Sequence, residues 1–105
     1  MERFGLLVLL KAREGKEKSV EEFLQSAQRL VLQEEGTLRW YAFKTGPATF
    51  GIFDTFADSE SRLVHLKGEV AKALLANADQ LLPVQPEIQM FDVVASHTRA
   101  ERDKS

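Results

Sequence analysis

Residues 37–56, TLRWYAFKTGPATFGIFDTF, decide the fold. Two runs rich in aromatic residues, Thr37–Lys44 and Thr49–Ala57, flank TGPA, a short linker of the hairpin type, so they read as antiparallel strands. In the second run the two-residue period of a strand places Phe50, Ile52, Asp54 and Phe56 on one face and Thr49, Gly51, Phe53 and Thr55 on the other. Asp54 therefore lies among large apolar neighbours, where a charge costs several kcal/mol unless it is paired, protonated or in reach of water. A turn centred on Gly46 and Pro47 sets Phe43 opposite Phe50, Tyr41 opposite Ile52 and Arg39 opposite Asp54. On that register Arg39 is the expected counter-charge, with an attraction on the order of 4 kcal/mol at about 4 Å and an effective dielectric of about 20.

Outward from the hairpin the pattern is equally regular. Phe4–Ala12 is apolar at nearly every position, as in a strand buried on both faces. Between about Lys16 and Gln33, Val20, Phe23, Leu24, Ala27, Leu30 and Val31 recur at helical spacing. Ser19 and Glu22 have the spacing of a capping box, and Gly36 is a natural stop. Beyond the hairpin, Asp58 or Ser59 can cap a helix through Leu66, Gly68 interrupts it, and Val70, Ala71, Leu74, Leu75 and Ala78 form the stripe of a further helical piece. Pro83 and Pro86 then lead to a last strand near Glu87–Ala95. Strand, helix, strand, strand, helix, strand is the α+β, ferredoxin-like βαββαβ layout: four antiparallel strands with the helices on one face. One domain over 1–96 and a polar tail over 97–105 are expected.

Two helices cover only one side of such a sheet. The first strand nevertheless carries Leu7 and Leu9 opposite Leu6, Val8 and Leu10, and the second carries Leu38, Trp40 and Ala42 opposite Arg39, Tyr41 and Phe43. A monomer would expose a broad apolar patch, so a homodimer with sheets face to face, and Trp40 and Phe53 at its seam, is expected.

Composition narrows the function classes. The 105 residues carry a net charge of −2 and no basic cluster, which argues against nucleic acid as a partner. There is no cysteine, hence no disulfide, thiolate metal site or cysteine nucleophile. FGLLVLL near the N-terminus is followed by charge rather than a small-residue cleavage site, and no run approaches the roughly 18 apolar residues of a membrane span. A soluble cytoplasmic protein without membrane partners is the expectation. Two histidines and scattered carboxylates show no metal-ligand spacing, and neither a phosphate loop nor a Ser-His-Asp order is visible.

EGTLRWYAFKTG, TFGIFDTFADSES, RLVHLKG and PEIQMFDVV together resemble the antibiotic biosynthesis monooxygenase family of dimeric α/β barrels, over residues 4 to 95. That resemblance implies a cavity between sheet and helices in each subunit, lined by Val8, Arg39, Tyr41, Phe43, Ile52, Asp54, Phe56 and His65. It implies cofactor-independent oxygenation of a small aromatic or quinol-type substrate, with His65 as the base that takes a phenolic proton, Asp54 and Arg39 positioning, and no metal. The chain departs from the family at several places. Ile52 and Phe56 stand where anthrone oxygenases of this fold have asparagine and tryptophan, and Val8 stands where haem-degrading members have asparagine. His65 aligns with the latter's helix tryptophan, and no histidine follows at the place of their iron ligand. These departures argue against haem degradation and leave room for a dimeric barrel that binds an apolar ligand without transforming it, or for a non-oxidative isomerase or decarboxylase.

Overall fold

The computed structural model describes residues 1–99; the end of the polar tail, 100–105, lies outside the described residues. The elements are β1 (Phe4–Lys11), α1 (Glu17–Val31), β2 (Thr37–Lys44), β3 (Thr49–Phe56), α2 (Ser59–Leu66), α3 (Glu69–Leu81) and β4 (Glu87–Asp92). The four strands form one antiparallel sheet in the order β2-β3-β1-β4, with the helices against one face, as the βαββαβ reading requires.

Helix starts follow the local chemistry in one case and not in another. Asp58 caps α2 by accepting a 2.7 Å hydrogen bond from the Ser61 amide. In α1 the first turn begins at Glu17 after Lys16, no side chain caps it, and Ser19 lies inside the helix instead of forming the expected capping box. The interruption at Gly68 divides α2 from α3. The core between sheet and helices joins Val8 and Leu10 to Phe50 and Ile52 below, and to Val20, Leu24, Leu74 and Ala78 above.

The hairpin register differs from expectation by one residue. Lys44 lies opposite Phe50, Ala42 opposite Ile52, Trp40 opposite Asp54 and Arg39 opposite Thr55. The reason lies at both ends of the hairpin. Thr45 N–H donates to Thr49 C=O at 2.9 Å, so Gly46, Pro47 and Ala48 form a three-residue loop instead of a two-residue turn. A bulge between Thr37 and Arg39 absorbs the extra residue at the other end. One slip exchanges the faces of β2. Trp40 thus joins Asp54 on the helix side, while Arg39, Tyr41 and Phe43 join Gly51, Phe53 and Thr55 on the open side. The expected place of Trp40 at a seam behind the sheet is corrected accordingly, whereas Phe53 does lie on the open face.

Candidate functional site

Asp54 is fully buried in β3, between Ile52 and Phe56 on the helix-side face. Its counter-charge is not Arg39. Arg39 sits on the opposite face, paired at 3.0 Å with Glu2, which also accepts a 2.6 Å hydrogen bond from Thr55 Oγ1. The partner is His65, in the last turn of α2, where the Asp58 cap and one further helical turn bring the imidazole down onto the sheet. His65 Nε2 lies 2.8 Å from Asp54 Oδ2, close enough for an ion pair when the ring is protonated. His65 Nδ1 meets Glu34 Oε1 on the turn that follows α1. Thr37 Oγ1 donates to the same Glu34 oxygen at 2.9 Å and lies 3.4 Å from Nδ1. The Phe56 ring closes one side, its centroid 5.3 Å from that of His65.

Two glycines let the backbone come this close. A methyl at Gly68 would fall 2.9 Å from Glu34 Oε2, and one at Gly36 would fall 2.8 Å from the Ser61 side chain. The turn bearing Glu34 can therefore nest against both ends of α2.

Burial pushes the Asp54 carboxyl above its ordinary 3.8, against the pull of the adjacent His65 and with a further push from Glu34. Burial would lower His65, but the contacts and charges of Asp54 and Glu34 outweigh it, so the imidazole is raised above its ordinary 6.5. With a carboxylate at each ring nitrogen, the doubly protonated ring, which can donate from both, is the form these contacts favour. Asp54, His65 and Glu34 form a chain through the ring instead of converging on one point. Among the described residues no cluster of three or more His, Asp or Glu side chains is arranged to hold a metal ion.

The cluster lies beside open space. A cleft of about 540 Å³ is bordered by Glu34, Gly36, Thr37, Ser61, Val64 and His65. A second, of about 380 Å³, shares Glu34 and Thr37 with it and reaches Trp40. A third, of about 360 Å³, runs from Trp40 past Leu24, Gln28 and Phe50, wrapping the edge strand β2 so that Tyr41 and Phe43 also border it. Of the residues expected at the cavity, Asp54, His65 and Phe56 are brought together, and Val8 and Ile52 are packed in the core. Glu34, Thr37 and Trp40 were not anticipated. The topology held a signal for the first two: the end of α1, the start of β2, the end of β3 and α2 all meet at one end of the sheet.

No family model and no curated protein matches this chain. Among solved structures, the NE2512 protein of Nitrosomonas europaea is 44% identical over 96% of this chain and 98% of its own, with a TM-score of 0.92. The chain belongs to the family of NE2512. That relative is described as a protein of unknown function, so membership carries no activity with it. A Caulobacter crescentus protein provisionally named an antibiotic biosynthesis monooxygenase is 18% identical, covering 90% of this chain and 92% of its own, with a TM-score of 0.76. A second Nitrosomonas europaea protein with the same provisional name is 10% identical, covering 88% and 99%, with a TM-score of 0.79. At these identities the likeness is one of fold alone: a four-stranded ferredoxin-like sheet. No helix among the described residues is long and apolar enough to cross a membrane.

Proposed function

We propose that the chain is a cofactor-independent oxygenase of a small hydroxylated aromatic or quinol-type substrate, working at the helix-side site around Asp54 and His65. The observation that carries this reading is Asp54 itself: a wholly buried carboxylate whose Oδ1 has no hydrogen-bond partner among the described residues, beside the His65 ring, which in turn borders an open cleft. Asp54 takes the proton of the substrate hydroxyl, since burial has brought its basicity towards that of the group it must deprotonate. His65, with both nitrogens protonated, steadies the resulting anion by charge in place of acting as the base. Dioxygen adds at the carbon made electron-rich. The hydroxyl proton held by Asp54 and the one hydrogen of the attacked ring carbon then leave with the second oxygen as water, so a phenol and dioxygen give a quinone and water and no external reductant is needed.

The test is oxygen uptake by the purified protein with a panel of quinols and anthrones, with and without added flavin or haem. Uptake independent of either, and reduced at least about tenfold by Asp54→Asn, is the expected result. One observation favours a second reading, that of a barrel which binds without transforming: both nitrogens of His65 are occupied by carboxylates. Thermal shifts with the same compounds and no oxygen uptake would establish it and dispose of the first.

A homodimer belongs to either reading. The open face presents Leu7, Leu9, Tyr41, Phe43, Phe53 and Phe91, and a second copy packed against it accounts for so apolar a surface. Light scattering that finds a stable monomer at micromolar concentration removes the dimer.

A further inference from the structure

The corrected register places the indole of Trp40 where the sequence led us to expect Arg39, directly across from Asp54 on the neighbouring strand and on the same face. Opposed residues of this kind have Cβ atoms about 4.5–5.5 Å apart. Asp54 is fully buried and its Oδ1 has no hydrogen-bond partner among the described residues; the Trp40 Nε1 atom is buried and equally without one. Two buried polar atoms left open on facing residues are unusual, because each forfeits the hydrogen bonds it had in water. The indole N–H can only donate, and an ionised carboxylate can only accept. A single group satisfies both if it donates to one and accepts from the other.

We propose that Trp40 Nε1 and Asp54 Oδ1 form a hydroxyl-binding pair, the specificity determinant of this site, taking an aromatic alcohol whose O–H donates to Asp54 and accepts from Trp40. An ammonium group satisfies the carboxylate and leaves the indole N–H unmet. A carboxylate does the reverse and meets Asp54 with like charge. The indole borders clefts on both sides, towards Glu34 and Thr37 and towards Leu24 and Phe50, so the ring of the alcohol has apolar surface to lie on at the Trp40 end of the pair. The aromatic character of the ligand rests on the proposed function. The hydroxyl requirement stands on these two atoms alone.

Trp40 is the only tryptophan of the chain, so the whole protein, isotope-labelled, gives one indole N–H resonance. Titration with α-naphthol, α-naphthoate and α-naphthylmethylammonium reads both the resonance and the affinities. The expected result is a downfield shift of the indole N–H with α-naphthol and binding at least about tenfold tighter than either charged analogue. Trp40→Phe, which keeps an aromatic ring without the N–H, is expected to bring α-naphthol to within a few-fold of the naphthoate. Asp54→Asn, nearly identical in shape, is expected to do the same from the other side of the hydroxyl. An unmoved indole resonance, equal binding of a charged analogue, or an affinity for α-naphthol unchanged in both variants overturns the pair. Selective naphthol binding without oxygen uptake on any quinol defeats the oxygenase reading and leaves the pair standing. Oxygen uptake with naphthol binding indifferent to both variants does the opposite.

Discussion

The two faces of the sheet are apolar by different means. On the helix side Phe50, Ile52 and Phe56 are covered by a second layer, and the one acidic side chain among them, Asp54, is met by the His65 ring from above. On the open side no helix of the described residues lies on top, and the rings fill gaps within the sheet itself. Phe43 covers Gly51, Phe91 covers Gly5, and Phe53 stacks on Phe91 with centroids 5.2 Å apart. Tyr41 remains 53% exposed. The open face thus uses glycine and aromatic rings to gain contact without a second layer. The dry face, where an ionic cluster is most expensive, is the one that carries it, and buried ion pairs are weak contributors to stability. The cluster therefore calls for an explanation in function, whereas the aromatic face is accounted for by packing and association.

Removing one member of the cluster is the severest way to break this contrast. His65→Ala leaves Asp54 buried without its counter-charge, and a loss of about 3–5 kcal/mol is expected by chemical denaturation. The double change Asp54→Leu with His65→Leu is expected to recover most of that loss while abolishing turnover, because apolar residues can replace a buried pair with little net cost. A double variant as unstable as His65→Ala would mean that the cluster serves the fold after all. On the open face the corresponding break is Gly51→Ala. Its backbone tolerates a side chain, but the new methyl would fall 2.2 Å from Phe43 Cζ, so the ring must swing off the sheet. About 1–3 kcal/mol is expected for such overpacking, with the ring displacement visible as changed chemical shifts of Phe43. A variant as stable as the parent would show that the ring was free to move.

Both the fold and the central polar residues were legible in the sequence because each rested on periodicity within a single element. Asp54 in an apolar strand and His65 on the following helix needed nothing beyond the two-residue and helical repeats. What failed was the relation between elements. Gly46, Pro47 and Ala48 form a loop one residue longer than the turn expected, and a strand period of two converts that single residue into an exchange of faces for Arg39, Trp40, Tyr41 and Phe43. The bulge near Leu38 conceals the slip by restoring the expected pairing at Thr37 with Phe56. Glu34 escaped notice for a different reason. It belongs to no periodic element, and only the packing of the α1–β2 turn on α2 brings it to the imidazole.

The gentlest perturbation removes only a proton and leaves every side chain in place, so its effect is smaller than that of either truncation. Asp54 and His65 are both raised above their ordinary values of 3.8 and 6.5, which means that the folded chain binds each proton more tightly than the unfolded chain. For a raised group the stabilisation is complete below the unfolded value and is lost as pH rises through the folded one. For Asp54 that window opens at 3.8, where many other carboxylates titrate too. For His65 it opens at 6.5 and runs upward, in a range where the carboxylates are already ionised. Melting temperature is therefore expected to fall as pH climbs above 6.5, as the imidazolium between Asp54 and Glu34 gives up its proton and leaves two carboxylates facing an uncharged ring. His65→Gln, which has nothing to titrate, is expected to be flat over the same range, and Tyr41→Ala, altered only on the open face, to keep the parent slope. A slope that survives in His65→Gln would assign the titration to a group outside the cluster and return His65 to the role of a neutral core residue.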